Sequence, residues 1–135
     1  MAVDHCIDLI ESIGTEEITL LHVASLPSQL EQYSGKLGSA LYKMKNQLQE
    51  YGEEILATAK NKIEQIKPGL KVDAKLVWGD TKDEIVMESE KSQCDLLIIG
   101  SRGLSGAKSF FIGSVSNYVA QHVKCTVTIV KNEKA

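Results

Sequence analysis

Apolar side chains at Val3, Cys6, Ile7, Ile10 and Ile13 recur with the 3.6-residue period of an amphipathic helix over residues 2–13. Gly14 follows where a helix-ending glycine belongs. Residues 18–24 (ITLLHVA) form a short, nearly continuous apolar run, which suits a strand buried on both faces of a parallel sheet. Pro27, Ser28, Ser34, Gly35 and Gly38 then mark a loop. From Leu37 to Ile66 apolar positions return every three or four residues: Leu37, Leu41, Met44, Leu48, Tyr51, Ile55, Ala59, Ile63 and Ile66. This spacing predicts one long helix. A coiled-coil seam is the alternative, but flanking strands favour a helix with one face on a sheet. Gly52 sits inside the stripe and weakens the helix by about 1 kcal/mol relative to Ala. Pro68-Gly69 stops it.

The second half of the chain repeats the alternation. Leu70, Val72, Ala74 and Leu76 mark a strand that runs to Trp78, and Gly79-Asp80 is a turn. Thr81 and Glu84 have the spacing of a capping box at the start of a short helix. Residues 95–100 (DLLIIG) read as a further apolar strand. Residues 101–113 are rich in Gly and Ser. Val115, Val119 and Val123 then line a last helix, and residues 126–131 (TVTIVK) form a last strand. Helices alternating with strands predict an α/β domain with a parallel sheet and right-handed crossovers. Ligands of such sheets gather beyond the carboxyl ends of the strands.

Composition narrows the classes. The 135 residues suffice for one domain with its own core, and the 43% apolar and 24% charged shares are those of an ordinary globular chain. The net charge is −3, and the only arginine is Arg102 among scattered lysines, so nucleic acid is not an expected partner. No apolar run approaches a membrane span, and no basic leader precedes an apolar one. Cys6, Cys94 and Cys125 form no C-x-x-C pair and read as structural thiols of a reducing, cytoplasmic compartment. His22 reads as a strand histidine of the core, and Trp78 as a residue packed at the sheet edge.

The chemistry-bearing segment is the run from Gly100 to Ser116, where a strand enters a glycine-rich loop and a helix begins near Ser114. Helix N-termini attract anions because their first N–H groups are free and the helix dipole adds about half a positive charge. Glycines let a backbone approach a phosphate closely. Ser101, Ser114 and Ser116 bring hydroxyls to the same place. The spacing is not a Walker A loop, because Ala107 separates Gly106 from Lys108, and it is not the dinucleotide fingerprint. A flexible linker is the alternative on these residues alone.

Gly100-x2-Gly103-x9-Gly113-Ser114 matches a G-x2-G-x9-G-[ST] signature, and the flanks CDLLIIGSRG and GSVSNYVAQHVKCTVTIV fit the same pattern. In these motifs the chain resembles the universal stress protein family, most specifically over its last 40 residues. The resemblance implies an open parallel sheet with helices on both faces, Rossmann-like, of the adenine-nucleotide alpha-hydrolase type, in strand order 3-2-1-4-5. It implies an ATP-binding (or AMP- or ADP-binding) stress regulator, with Mg²⁺ as an optional companion ion. By that pattern Gly100 and Gly103 lie along the ribose and phosphates. Gly113, Ser114, Val115 and Ser116 hold phosphates, and Ser101 and Arg102 fall within the loop. Val23 and Ala24 lie near the base. Arg102 is either a phosphate partner or a solvent- or dimer-facing cation. Lys108 reads better as a solvated lysine than as a phosphate ligand. The resemblance also implies a homodimer through the strand from Thr126 to Lys131, which would cover an otherwise unprotected edge.

One departure stands out. The family begins with a strand whose Asp contacts the nucleotide, whereas residues 1–13 align with the helix after it. A central strand with five buried apolar side chains, at about 1.5–3 kcal/mol each, contributes roughly 10 kcal/mol. That is comparable with the whole stability of a domain, about 5–15 kcal/mol. Three accounts follow: residues precede Met1, a partner chain supplies the strand, or the flanking strands pair directly. The functional expectation is a single domain, residues 1–135, acting as a nucleotide-binding switch. The alternatives are a slow ATPase and a nucleotide-free dimeric interaction module with an unknown protein partner. Fast catalysis is not expected, because no acidic residue near the loop stands out except Asp80 and Asp95, and Asp83 and Glu84 read as first-turn helix residues.

Overall fold

The computed structural model describes residues 2–31, 38–101 and 113–131. In chain order these form α1 (Ala2–Ile13), β1 (Glu17–Ala24), α2 (Ser28–Glu31), α3 (Gly38–Ile66), β2 (Lys71–Trp78), α4 (Thr81–Lys91), β3 (Leu96–Gly100), α5 (Ser114–His122) and β4 (Thr126–Val130). The alternation read from the sequence is the alternation observed. The addition is α2, a single turn where a loop is expected; it opens after Pro27, whose carbonyl accepts from the Leu30 N–H at 2.9 Å. Proline fixes the φ that a helix start needs. Gly14 and Gly69 take φ of +64° and +96° just beyond helix ends, as their positions predict. Among the described residues no helix is long and apolar enough to cross a membrane.

Two units divide the chain: residues 16–81, and residues 1–15 with 82–135. The first is a βαβ unit. β1 and β2 run parallel from Glu17↔Lys71 to Ala24↔Trp78, and α3 packs on both strands. The buried side of α3 is Leu41, Gly52, Leu56 and Ile63. Leu41, Gly52 and Ile63 follow one another at intervals of 11 residues, which is three turns of a straight helix rather than a heptad seam. The face differs from the expected stripe, since Met44, Tyr51, Ile55 and Ile66 are exposed. The reason lies at Gly52, where the helix backbone comes close to the sheet. A Cβ there would stand 2.5 Å from Leu76 Cδ1 and 2.6 Å from His22 Cδ2. At the end of the helix's contact, Trp78 Nε1 donates to Gln49 Oε1 at 2.8 Å.

His22 packs edge-on to Tyr51, with ring centroids 6.4 Å apart. Burial pulls its pKa below the ordinary 6.5. The unfolded chain therefore binds more protons than the folded one below about pH 6.5, and stability falls as pH drops into that window, levelling off below the folded pKa. Urea midpoints measured at about pH 5.5 and 7.5 should show this loss on acidification, and His22→Gln should reduce it. An unchanged loss in the variant would assign it to other groups.

The second unit holds the other parallel ladder, β3 with β4, from Leu96↔Thr126 to Gly100↔Val130. α1 packs against β3 and buries Ile10. Val119 of α5 is fully buried. Burying such a side chain contributes about 1.5–3 kcal/mol. The four strands thus form two separate two-stranded parallel sheets, β1–β2 and β3–β4. These are the two flanking pairs of the order 3-2-1-4-5. Direct pairing of the strands that flank its centre is not the arrangement of the described residues. The two-faced burial expected of β1 and β3 is also only partial. Ala24 is the one buried residue of β1, and all five of β3 are half-buried. A two-stranded ladder has no interior strand, so neither can be covered like the centre of a wide sheet.

Candidate functional site

The glycine loop leaves β3 at Gly100 and returns at Gly113, and the structure shows how its two ends are joined. The Ser101 N–H donates to Val130 O at 2.8 Å, extending the β3–β4 ladder by one bond. The Gly113 N–H donates to Ser101 O, also at 2.8 Å. Ser116 Oγ lies 3.4 Å from the same carbonyl and 3.2 Å from Gly113 O. A hydroxyl has one hydrogen, so it serves these two acceptors by turns. Ser101 and Ser116 are both 2% exposed, which makes this a buried polar clamp joining the two ends of the loop.

Gly113 is the N-cap of α5, with φ −64° and ψ 161° and no side-chain cap. A Cβ on it would stand 2.7 Å from Ser101 O. Only glycine lets the helix start this close to the strand end. The Asn117 N–H closes the first turn on Gly113 O at 3.0 Å. Helix geometry leaves the N–H groups of Ser114, Val115 and Ser116 without an intrahelical acceptor. With the dipole they make an electropositive end that suits an anion. Beside it, Ser101 Oγ is buried and has no hydrogen-bond partner among the described residues. A buried hydroxyl left unpaired costs about 1–3 kcal/mol. A ligand oxygen at the helix end is one way to remove that cost.

The structure therefore brings together Gly100, Ser101, Gly113, Ser114, Val115 and Ser116. The Ser116 hydroxyl is engaged with the carbonyls of Ser101 and Gly113 at the two ends of the loop. Residue spacing alone does not show this brace. Arg102, Gly103 and Lys108 lie outside the described residues. Val23 and Ala24 sit at the carboxyl end of β1 in the other unit, where Ala24 is buried and its carbonyl accepts from the Gly79 N–H at 3.1 Å. On α5, Tyr118 stacks on His122 with centroids 3.9 Å apart, and Lys82 Nζ lies 5.5 Å from the Tyr118 ring centre. Among the described residues no group of three or more His, Cys, Asp or Glu side chains is placed to hold a metal ion.

A strand, a glycine loop clamped at both ends and a helix start of this kind match a family model, that of the universal stress proteins, over residues 1–131. The chain belongs to the universal stress protein family. Universal stress protein MJ0531 of Methanocaldococcus jannaschii is 33% identical over 87 residues, which is 64% of this chain and 50% of that one. The chain spans about half the length of the first curated universal stress proteins it matches. Among solved structures, MJ0577 of the same archaeon superposes with a TM-score of 0.82 at 28% identity, covering 99% of this chain and 87% of that one. A universal stress protein of Arabidopsis thaliana, solved with AMP bound, gives a TM-score of 0.65 at 27% identity, with 98% and 77% covered. The α/β, Rossmann-like class read from the strand and helix pattern is thus the universal stress protein fold.

Proposed function

We propose that this chain is a single universal-stress-protein domain that binds an adenine nucleotide at the β3–α5 loop and acts as a binding switch. The observation that carries the reading is the buried, unpartnered Ser101 hydroxyl beside the open N-terminus of α5. The AMP held by the Arabidopsis relative supports the ligand class. The phosphate takes the N–H groups of Ser114, Val115 and Ser116 and the Ser101 hydroxyl. Gly100 gives the close backbone approach, and the family resemblance adds Gly103 and Arg102 of the loop, which lie outside the described residues. ATP is the first candidate, ADP and AMP the next. Mg²⁺ would have to be held mainly by the nucleotide and water, since the described residues build no carboxylate cluster for it. In the same reading, β4, which ladders with β3 alone among the described residues, offers its other edge to a second copy.

The test is equilibrium dialysis of the full chain against ATP, ADP and AMP, with mass spectrometry of small molecules carried through gentle purification. Binding is expected, and Ser101→Ala should weaken it about 3- to 10-fold, the equivalent of one net hydrogen bond. Phosphate release per bound ATP separates a switch from a slow ATPase. No binding to any of the three nucleotides would refute the reading and favour the nucleotide-free interaction module.

A further inference from the structure

The carboxyl end of the β3–β4 ladder carries the glycine loop; its amino end carries two thiols. Cys94 lies two residues before Leu96, the first of β3, and Cys125 immediately precedes Thr126, the first of β4. The parallel register Leu96↔Thr126 and the bond from the Thr126 N–H to Asp95 O at 3.3 Å set the two lead-in segments side by side. The two Sγ atoms stand 3.2 Å apart and share a hydrogen bond, although the residues are 31 apart in sequence. A disulfide spans about 2.05 Å, so closing the pair needs an approach of about 1.2 Å. Both cysteines are half-buried, and both line a solvent-open hollow of about 560 Å³ together with Ser89, Gln93 and Lys124. A small oxidant has access to the sulfurs.

We propose that Cys94 and Cys125 are a reversible redox site, a dithiol that a hydroperoxide converts into an intrachain disulfide across the amino ends of β3 and β4. In the first step the Cys125 sulfur attacks the peroxide. An S–O bond forms, the O–O bond breaks, and the leaving oxygen takes the thiol proton, giving an alcohol or water and a Cys125 sulfenic acid. In the second step the Cys94 sulfur attacks the Cys125 sulfur. The S–S bond forms, the S–O bond breaks, and hydroxide leaves with the Cys94 proton as water. Two thiols lose two electrons to the peroxide, and an external dithiol restores them. The order of attack follows from the pair. Burial, the hydrogen bond to Cys125 and the charges of Cys125 and Asp95 push the Cys94 thiol up to about 12. A thiol pushed up in this way is the poorer first nucleophile, so Cys94 takes the second attack.

Trypsin makes the test direct, because Cys94 falls in peptide 92–102 and Cys125 in peptide 125–131. The full folded chain is treated with hydrogen peroxide, blocked with an alkylating reagent, digested without reduction and mapped. The two peptides are expected as one cross-linked species that dithiothreitol separates. Cys94–Cys125 links should exceed links to Cys6 at least tenfold. The preference should vanish when the same oxidation is run in guanidinium. Cys94→Ser should stop at a sulfenic acid on Cys125, trapped by a 1,3-dione. Cys125→Ser should leave Cys94 alkylatable after an exposure that oxidises the wild type. The proposal is overturned if both thiols of the peroxide-treated wild type still alkylate fully, or if the cross-link joins different chains only.

Discussion

A Gly113→Val chain is expected to bind adenine nucleotide roughly 30- to 150-fold more weakly than the wild type. The displaced group is backbone, so the fault cannot be relieved by turning a side chain. A Cβ at this position stands 2.7 Å from Ser101 O, and that carbonyl is already held by the Gly113 N–H at 2.8 Å. Ser101 is anchored from the other side by its own N–H bond to Val130 O. To seat the new side chain, the start of α5 must move away from the strand end. That motion separates the Ser114, Val115 and Ser116 N–H groups from the Ser101 hydroxyl, so the donors no longer converge. Overpacking at a constrained site costs about 1–3 kcal/mol, and a loss of 2–3 kcal/mol in binding corresponds to the stated range at about 1.4 kcal/mol per tenfold. Dialysis against ATP and AMP measures it, with far-UV circular dichroism to show that the helices persist. Ser114→Ala, which removes an exposed hydroxyl but keeps the N–H, should change affinity less than about threefold. Unaltered affinity in Gly113→Val would place the ligand elsewhere.

The two ends of the glycine loop were legible because their requirements are chemical and local: a strand that ends at Gly100 and a helix that starts one residue after Gly113. Element boundaries were legible for a similar reason. Gly14, Pro68-Gly69 and Thr81 act on their immediate neighbours, and the structure ends or begins helices beside each of them. What escaped the sequence depends on distant partners. The Ser116 hydroxyl reads from the sequence as a ligand donor, whereas in the structure it faces Gly113 O and Ser101 O, the second of them 15 residues earlier. Cys94 and Cys125 looked like separate thiols, because only the ladder register sets them together. The inward face of α3 matches the expected stripe at Leu41 and Ile63 and departs from it by one residue in the middle, where Gly52 and Leu56 are buried. A reading by apolarity favours Tyr51 and Ile55, whereas the backbone approaches the sheet at Gly52, a residue with no apolar side chain to count.

That last point yields the second large effect. Replacing a glycine inside a helix with alanine ordinarily stabilises by about 1 kcal/mol. At Gly52 the expected sign is reversed. The new Cβ would meet Leu76 Cδ1 at 2.5 Å and His22 Cδ2 at 2.6 Å, with His22 Nε2 at 3.1 Å. Leu76 can turn its branch aside, but the His22 ring is also packed edge-on against Tyr51 of the same helix. The helix must therefore lift from β1 and β2, loosening the neighbouring contacts of Leu56 and Ile63 on the same face. Overpacking of this kind costs about 1–3 kcal/mol, which exceeds the gain in helix propensity. Gly52→Ala should lose about 1–2 kcal/mol in urea unfolding, and Gly52→Val, with two further carbons at the contact, about 3 kcal/mol. A double-mutant cycle separates steric cause from helix propensity. In a Leu76→Ala background one of the two closest atoms is gone, so Gly52→Ala should cost at least 0.5 kcal/mol less there, within the range of about 0.5–3 kcal/mol measured for residues in contact. If Gly52→Ala instead stabilises the chain in both backgrounds, the close approach of α3 to the sheet is not what keeps glycine at this position.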